Sequence, residues 1–262
     1  MTLKFIVLSD LHVMPEGELS VTLDTGARFE KAVEAIAARY HNVDFCVLAG
    51  DLTDLGQPAA YLRLKSLIDQ INIPVHLTLG NHDERDTFLS VFGRDYVAET
   101  GKIDKAFDAK GYRIILLDSS EPGRVDGVLT QTQISWLRAR LAEAIERPVI
   151  VILHHNANAL HIESDGIRIL EAEPLITALK THPDIRQVIA GHVHLTSTAL
   201  WRGISFTTLA GGHYYCTVDQ DHLPMRRLAG PAQMAFVIGT EDQTTVHFDN
   251  YIDGHAEIID VD

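Results

Sequence analysis

Five short segments of the chain carry carboxylate, amide and imidazole side chains that can bind divalent cations. They are Asp10-Leu11-His12, Gly50-Asp51, Gly80-Asn81-His82-Asp83, His154-His155 and Gly191-His192-Val193-His194. Four of the five segments follow apolar runs that predict buried strands, so we expect their side chains to gather along one edge of a sheet. A cluster of this kind can hold two divalent cations a few ångströms apart, and such a pair promotes displacement at phosphorus.

The spacing within the segments favours the same chemistry. Asp10 and His12 are two positions apart, as are His192 and His194. In an extended chain such positions point to the same side, so each pair can bind one cation. The adjacent residues His154-His155 point to opposite sides, and we expect only one of them to be a ligand. A single segment of this type is more commonly a polar turn, but five of them in one chain favour a metal site.

The composition restricts the partners of the protein. The chain has 262 residues, of which 46% are hydrophobic, and its net charge is −14. These values are typical of a globular protein with a sizeable core, and the acidic balance argues against a stable nucleic-acid partner. Cys46 and Cys216 are too few for a disulfide framework, and no apolar run reaches the roughly 20 residues of a membrane span. We therefore expect a cytoplasmic protein without a membrane partner.

Apolar runs alternate with helical periodicities along most of the chain, which predicts an α/β core. The predicted strands are 5–8, 45–49, 75–79, 113–117, 149–153 and 188–190. Helices are predicted over 29–40, 61–71 and 134–145, the last opening with the capping-box pattern Thr130-Gln131-Thr132-Gln133. Four further strands, with no long helix between them, are predicted at 196–200, 205–209, 235–239 and 245–248. We expect a single domain over residues 1–262, in which residues from about 211 to 262 form a cap or an oligomerisation segment.

The five segments, in this order, resemble the motifs D-x-H, G-D, G-N-H-[DE], H and G-H-x-H of the calcineurin-like metallophosphoesterases. The resemblance extends from about residue 4 to about residue 210, and its motifs are highly specific. It implies an α/β fold, a four-layer αββα sandwich in which two mixed β-sheets are flanked by helices, with a small C-terminal β-rich extension or cap. It also implies two divalent transition-metal ions, and the histidine-rich ligands suit Mn, Fe or Zn better than magnesium.

The metal ligands that the resemblance implies are seven side chains, one of them shared between the two ions. One ion would be bound by Asp10, His12, Asp51 and His194, and the second by Asp51, Asn81, His154 and His192. Asp51 would therefore be the bridging carboxylate.

The implied catalytic residues lie in the third segment. His82 would stay unligated and assist the leaving group, with Asp83 as a partner for its ring, and Asn81 and His82 would also contact the substrate. His213 lies where relatives place another histidine near the substrate, so it is a further candidate for substrate binding; a structural or surface role is the alternative. Asn156 replaces a proline that is usual in relatives, which changes the expected shape of the pocket.

The chain lacks the arginine of the G-D-x-V-D-R-G motif of protein phosphatases, and its third segment ends in G-N-H-D. It looks more like the class III cyclic-nucleotide phosphodiesterases, and equally like the bacterial glycerophosphodiesterases of the same branch. Two divalent ions, two carboxylates and a hydroxide leave a single net positive charge, which matches a phosphodiester monoanion. We therefore expect a small phosphodiester substrate, with a cyclic nucleotide of the cAMP type as the leading candidate.

Several alternatives remain open from the sequence. The enzyme could be a glycerophosphodiester phosphodiesterase, a phosphomonoesterase or a nuclease of the same superfamily. A non-catalytic scaffold would be expected to have lost metal ligands, and this chain keeps them all, which disfavours that reading. The resemblance is also consistent with a homo-oligomer.

Overall fold

A computed structural model describes residues 1–218 and 226–253. Five α-helices occur in this part of the chain: α1 (Thr25–Arg39), α2 (Pro58–Ile68), α3 (Arg85–Phe92), α4 (Gln131–Ala142) and α5 (Glu173–Leu179). The first seven strands are β1 (Leu3–Leu8), β2 (Phe45–Ala49), β3 (Val75–Thr78), β4 (Lys105–Ala109), β5 (Tyr112–Leu117), β6 (Val149–Leu153) and β7 (Ile185–Ala190). The others are β8 (Ser197–Trp201), β9 (Ile204–Thr208), β10 (Tyr215–Cys216), β11 (Arg227–Leu228), β12 (Ala232–Gly239) and β13 (Thr244–Ile252).

The long strands form two mixed sheets. One sheet has five strands in the order β13-β12-β1-β2-β3, and the other has six in the order β4-β5-β6-β7-β9-β8. The strands β1, β2 and β3 run parallel, as do β5, β6, β7 and β9, whereas β12, β13, β4 and β8 pair antiparallel with their neighbours. The strands β10 and β11 form a separate small hairpin-like pair.

Three apolar clusters account for the layering. The cluster between the two sheets contains side chains of both, including Phe5, Val47, Ile114, Ile150, Ile189 and Val237. A second cluster packs α1, α2 and α3 on the outer face of the five-stranded sheet, and a third packs α4 and α5 on the six-stranded sheet. Strands covered on both faces need continuous rather than alternating apolarity, which is why β2 and β6 are apolar throughout. The predicted four-layer αββα sandwich is confirmed.

The capping-box signal marks the start of α4, whereas the predicted bounds of the three helices differ from the observed ones by one to four residues. Thr130 is the N-cap of α4, and its side chain and that of Gln133 make the reciprocal hydrogen bonds of a capping box. Five α-helices and strands among the described residues were not predicted, because they are short or weakly patterned: β4, α3, α5, β10 and β11.

The strands near the end of the chain join the first sheet. β12 pairs antiparallel with β1, so that Leu3 lies opposite Gly239 and Val7 opposite Ala235. Residues 219–225 and 254–262 of the predicted cap segment lie outside the described residues. The single-domain organisation and a role of this segment in oligomerisation stay predictions.

No helix within residues 1–218 or 226–253 combines the length and apolar character that crossing a membrane requires.

Candidate metal centre

The loops that follow β1, β2, β3, β6 and β7 meet at one edge of the two sheets, and Asp51 lies at their centre. Oδ2 of Asp51 is 3.4 Å from Nε2 of His12 and 3.3 Å from Nε2 of His154. Its Oδ1 accepts a hydrogen bond of 2.9 Å from the backbone N–H of His82. The carboxylate is therefore placed between imidazoles from both sheets, as a bridging ligand requires.

The remaining predicted ligands surround this carboxylate on two sides. On one side, Oδ1 of Asp10 lies 3.6 Å from Nε2 of His194, and both oxygens of Asp10 accept from the backbone N–H of His192. On the other side, Oδ1 of Asn81 lies 3.3 Å from Nε2 of His154. The structure thus brings all seven predicted ligands together, and their binding of metal ions stays a prediction.

Hydrogen bonds to fixed acceptors orient the imidazole rings. Nδ1 of His154 donates to the carbonyl of Ala49 at 3.1 Å, and Nδ1 of His194 donates to the carbonyl of Tyr214 at 3.0 Å. Nε2 of His192 donates in the same way, at 3.0 Å, to the carbonyl of Ile167. In a neutral ring, a nitrogen that donates to a carbonyl leaves the opposite nitrogen without a proton, so that it can bind a metal. Each ring is therefore prepared to act as a neutral ligand through one defined atom.

His12 gives an independent test of whether a cation fits. Its Nδ1 lies 2.8 Å from the carboxylate of Asp54, whereas its Nε2 is buried and has no hydrogen-bond partner. A buried polar atom without a partner is costly, so it indicates a group that normally fills the space beside it. Since that space is also bounded by Asp51 and Asp10, a divalent cation fits the donor set.

The backbone of the ligand residues is strained. Five of the seven predicted ligands have a positive φ between 47° and 72°: Asp10, His12, Asp51, His192 and His194. The left-handed conformation costs roughly 1–2 kcal/mol for a residue with a side chain. Such strain persists where the surrounding structure holds it in place, and it is concentrated at functional sites. Here the left-handed conformation lets residues that follow a strand turn their side chains towards one point.

Two glycines allow these loops to approach each other. A Cβ atom on Gly191 would overlap Oγ of Ser9 and lie 2.5 Å from Oδ2 of Asp10, and one on Gly80 would overlap the Asp51 carboxylate. Glycine is therefore required at these positions of G-N-H-D and G-H-V-H because the neighbouring ligands occupy the space of a side chain.

Burial and mutual charge separate the pKa values of the ligands in the metal-free protein. Burial opposes ionisation of Asp51, but the nearby His154 and His12 hold the pKa of its carboxyl well below the usual range. Burial also opposes a charge on His154, yet Asp51 raises its pKa to about 9. Burial, with the charge of His154, lowers the pKa of His192 to about 3, and burial raises that of Asp10 to about 6. Without cations, the pair formed by Asp51 and His154 therefore carries both charges.

His82 lies at the open side of the cluster, with a side chain that is 40% exposed. Its Nδ1 donates to the carbonyl of Asp54 at 2.7 Å, and the carboxylate of the same residue is 3.5 Å away. Because the carboxylate of Asp54 also accepts from His12, this one residue orients both a predicted ligand and the exposed histidine. We assigned no role to Asp54 from the sequence, although its position in G-D-x-x-D was a usable signal.

The prediction that Asp83 supports the ring of His82 is wrong. The carboxylate of Asp83 accepts from the backbone N–H groups of Leu52, Thr53 and Gly80 and from the hydroxyl of Tyr61, at 2.9–3.1 Å. It therefore fastens the loop after β3 to the loop after β2, and it positions Asp51 and Asn81 indirectly.

The neighbours of the predicted ligands have distinct roles. His155 uses both ring nitrogens within the fold, with Ser119 at 2.8 Å and the carbonyl of Val125 at 3.1 Å. The side chain of Asn156 is buried and donates to the carbonyl of Asn158. His213 is 2% exposed, its ring centre is 4.5 Å from that of His12, and neither of its nitrogens has a hydrogen-bond partner.

The family model described as calcineurin-like phosphoesterase matches residues 3–195, which span all five segments. The chain is a calcineurin-like phosphoesterase. Phosphoesterases of this family use two divalent metal ions, and the residues described above fit such a pair.

Several phosphoesterases from bacteria are similar over most of the chain. A protein of Rhodococcus erythropolis named "Probable cyclic nucleotide phosphodiesterase" is 32% identical, and the match covers 92% of this chain and 80% of that protein. The "3',5'-cyclic adenosine monophosphate phosphodiesterase CpdA" of Pseudomonas aeruginosa is 31% identical, with 91% and 79% covered. The "Probable glycerophosphodiester phosphodiesterase GpdQ" of Arcobacter nitrofigilis is 26% identical, with 82% and 80% covered.

Solved structures of phosphoesterases show the same fold at low identity. A dimetal phosphatase from Danio rerio superimposes with a TM-score of 0.67 at 16% identity and covers 93% of this chain and 98% of its own. A purple acid phosphatase from yellow lupin gives a TM-score of 0.72 at 13% identity, with 98% of this chain and 53% of its own covered.

Replacing Gly191 by alanine should remove metal ions from the phosphoesterase. The new methyl group would push Asp10 and Ser9 out of place, so we expect the metal content, measured by plasma mass spectrometry after dialysis, to fall from about two ions per chain towards one or none. Gly166→Ala is the matched control, since a Cβ there meets no atom within 4 Å. A folded Gly191→Ala variant with its full metal content would contradict this assignment.

Metal binding should release a proton from His154. Its pKa of about 9 means that the ring is protonated at pH 7.5 in the metal-free protein, and a metal ligand must be deprotonated. We expect at least one proton released per chain at pH 7.5 and an apparent metal affinity that falls as the pH decreases below 9. Titration calorimetry in buffers of different ionisation heat measures this number, and the absence of proton release at pH 7.5 would exclude the charged pair.

Proposed function

We propose that this phosphoesterase hydrolyses small phosphodiesters, with 3′,5′-cyclic nucleotides as its substrates. The observation that carries the proposal is the carboxylate count of the site. Asp10 and Asp51 are its only carboxylates among the seven predicted ligands, so two divalent cations and a hydroxide leave a single net positive charge. That charge suits the monoanion of a diester. The names of the similar proteins from Rhodococcus and Pseudomonas support the same substrate class.

A phosphomonoester dianion would need a further cation beside the site. Arg85 is the arginine that follows G-N-H-D-E, and it donates instead to the buried carboxylate of Asp118, at 3.0 and 3.2 Å, and to Ser120. Its charge is thereby compensated within the fold. Arg85 is therefore not the further cation that a monoester dianion would need.

Different residues of the site have different roles in the proposed reaction. When bound, two cations of the Mn, Fe or Zn type polarise the phosphoryl group and activate a water nucleophile. Asp51 holds the two halves of the site together, and Asn81 presents a neutral oxygen at its open side. Asp54 positions the partly exposed ring of His82 through its Nδ1, and we assign to Nε2 of this ring the transfer of a proton to the departing alkoxide.

His213 is a further residue that we assign to substrate binding. Its ring is buried beside His12 and has two nitrogens without partners, so it can donate to a phosphoryl oxygen. The side chain of Arg28 holds its loop by donating to the carbonyls of Gly212 and His213, both at 2.8 Å.

We further propose that the enzyme works in the cytoplasm. Cys46 and Cys216 are both free and buried, which is typical of proteins in reducing compartments. A homo-oligomer is proposed only from the resemblance to the family.

A substrate comparison tests the proposed function. Manganese-loaded protein should hydrolyse 3′,5′-cyclic AMP with a higher kcat/KM than 2′,3′-cyclic AMP, glycerophosphocholine or a phosphomonoester such as p-nitrophenyl phosphate. A preference for glycerophosphocholine would support the alternative suggested by the similarity to the Arcobacter protein. A preference for the monoester would contradict the charge argument.

Replacing His82 by alanine should lower kcat for cyclic AMP by about 10²–10⁴-fold, because general-acid assistance contributes roughly this amount. The metal content should stay unchanged, since the ring is held by Asp54 and is not a predicted ligand. The loss should be much smaller for a diester with a p-nitrophenolate leaving group, which departs without a proton. His41→Ala, at an exposed ring bound to Asn42, is the control. Equal losses for both leaving groups, or loss of metal, would contradict the role of His82.

A further inference from the structure

A cavity of about 590 Å³ opens beside the metal centre, and two predicted metal ligands, His192 and His194, form part of its wall. The rest of the wall includes Ile167 from the loop after β6 and Tyr214 and Arg227 from the segment around β10 and β11. Its volume lies within the range of roughly 300–1,000 Å³ that is usual for small-molecule sites. A diester bound at the cations can therefore extend one of its organic groups into this space.

A stack of three side chains connects the metal centre to the far wall of the cavity. The ring of Tyr214 lies parallel to that of His194, with centres 4.1 Å apart and an angle of 10°. The guanidinium of Arg227 lies over the same tyrosine ring, 4.8 Å from its centre. The carbonyl of Tyr214 also accepts from His194, so the stack is tied to a metal ligand. The stack therefore places the guanidinium of Arg227 one aromatic ring away from the predicted metal ligand His194.

The position of Arg227 is fixed by the backbone as well. Arg227 pairs with Cys216 in the antiparallel strands β10 and β11, and Cys216 donates its backbone N–H to the carbonyl of His194 at 2.8 Å. Within the described residues, no carboxylate forms an ion pair with Arg227. The guanidinium of Arg227 is exposed at the cavity wall, which also includes Glu163, so it is accessible to a ligand that enters the cavity.

The chemistry of this wall discriminates between organic groups. A guanidinium plane stacks on the flat, electron-rich face of a nucleobase. A cationic group such as choline would be repelled by Arg227, and a glycerol group has no face to stack. We propose that the cavity binds the purine base of a nucleotide substrate, with the base stacked on the guanidinium of Arg227. This inference rests on the proposed phosphodiesterase function, and it assigns to Arg227 the selection of the organic group that the diester carries.

The test compares two diesters on manganese-loaded enzyme: cyclic AMP, and methyl p-nitrophenyl phosphate, which lacks a base. In Arg227→Ala we expect the kcat/KM for cyclic AMP, divided by that for methyl p-nitrophenyl phosphate, to fall about tenfold, because stacking of one base contributes about this factor. The fall should come from a higher KM for cyclic AMP and not from a lower kcat. Arg227→Lys keeps the charge without the plane and should behave like the alanine variant. Arg202→Ala is the matched control, since that guanidinium lies over Trp201 at 5.4 Å, away from this cavity, and should leave the ratio unchanged.

An unchanged ratio in Arg227→Ala, or full recovery in Arg227→Lys, would overturn the inference. Failure of the proposed function would be seen differently, as wild-type enzyme that turns over neither diester. In that case the affinity for adenosine 5′-monophosphate, measured by calorimetry on the manganese-loaded protein, still tests whether the cavity binds a base. A tenfold weaker affinity in Arg227→Ala supports the cavity assignment, and an equal affinity overturns it.

Discussion

The site depends on a carboxylate that is kept ionised where water does not reach. Asp51 is almost fully buried, and an isolated buried charge is costly unless donors and opposite charges surround it. The backbone N–H of His82 and the imidazoles of His12 and His154 provide this surrounding. These groups come from loops that follow strands of both sheets. The negative charge of Asp51 is therefore compensated only when the two sheets pack with these edges aligned.

The loops around Asp51 also fix the orientation of the imidazole rings. Each imidazole that faces the centre is held through its other nitrogen by a carbonyl or a carboxylate, and Asp83 fastens two of the loops through backbone N–H groups. The rings of His154, His192 and His194 are held by backbone carbonyls, so their directions do not depend on flexible side chains, whereas His12 is held by the carboxylate of Asp54. The strained left-handed residues complete the arrangement, because they aim side chains inwards at a cost that the packed sheets can bear.

Short signals in the amino-acid sequence were sufficient for an α/β core: continuous apolar strands and a capping box at Thr130. The four layers and the seven predicted ligands that converge followed from the family resemblance, which the motif residues at strand ends carry. The sequence was insufficient where the partner is distant in the chain. The pairing of β12 with β1, the stack of Tyr214 and Arg227 and the shared role of Asp54 all depend on contacts that no local pattern encodes. The role of Asp83 was misjudged because two neighbouring residues were assumed to interact, whereas Asp83 binds the loop after β2.

The pairing of β1 with β12 has a consequence for how the protein is made. The strand β1, which ends two residues before Asp10, has β2 on one side and β12 on the other. The nearby loop at Gly211 is held by a hydrogen bond from the backbone N–H of Gln233 to the carbonyl of Gly211. Chains are synthesised from the N-terminus at about 5–20 residues per second, and contacts between distant segments form late. A ribosome must therefore complete most of this polypeptide before the edge that gathers the ligands exists. We expect insertion of the cations to be one of the last events in maturation.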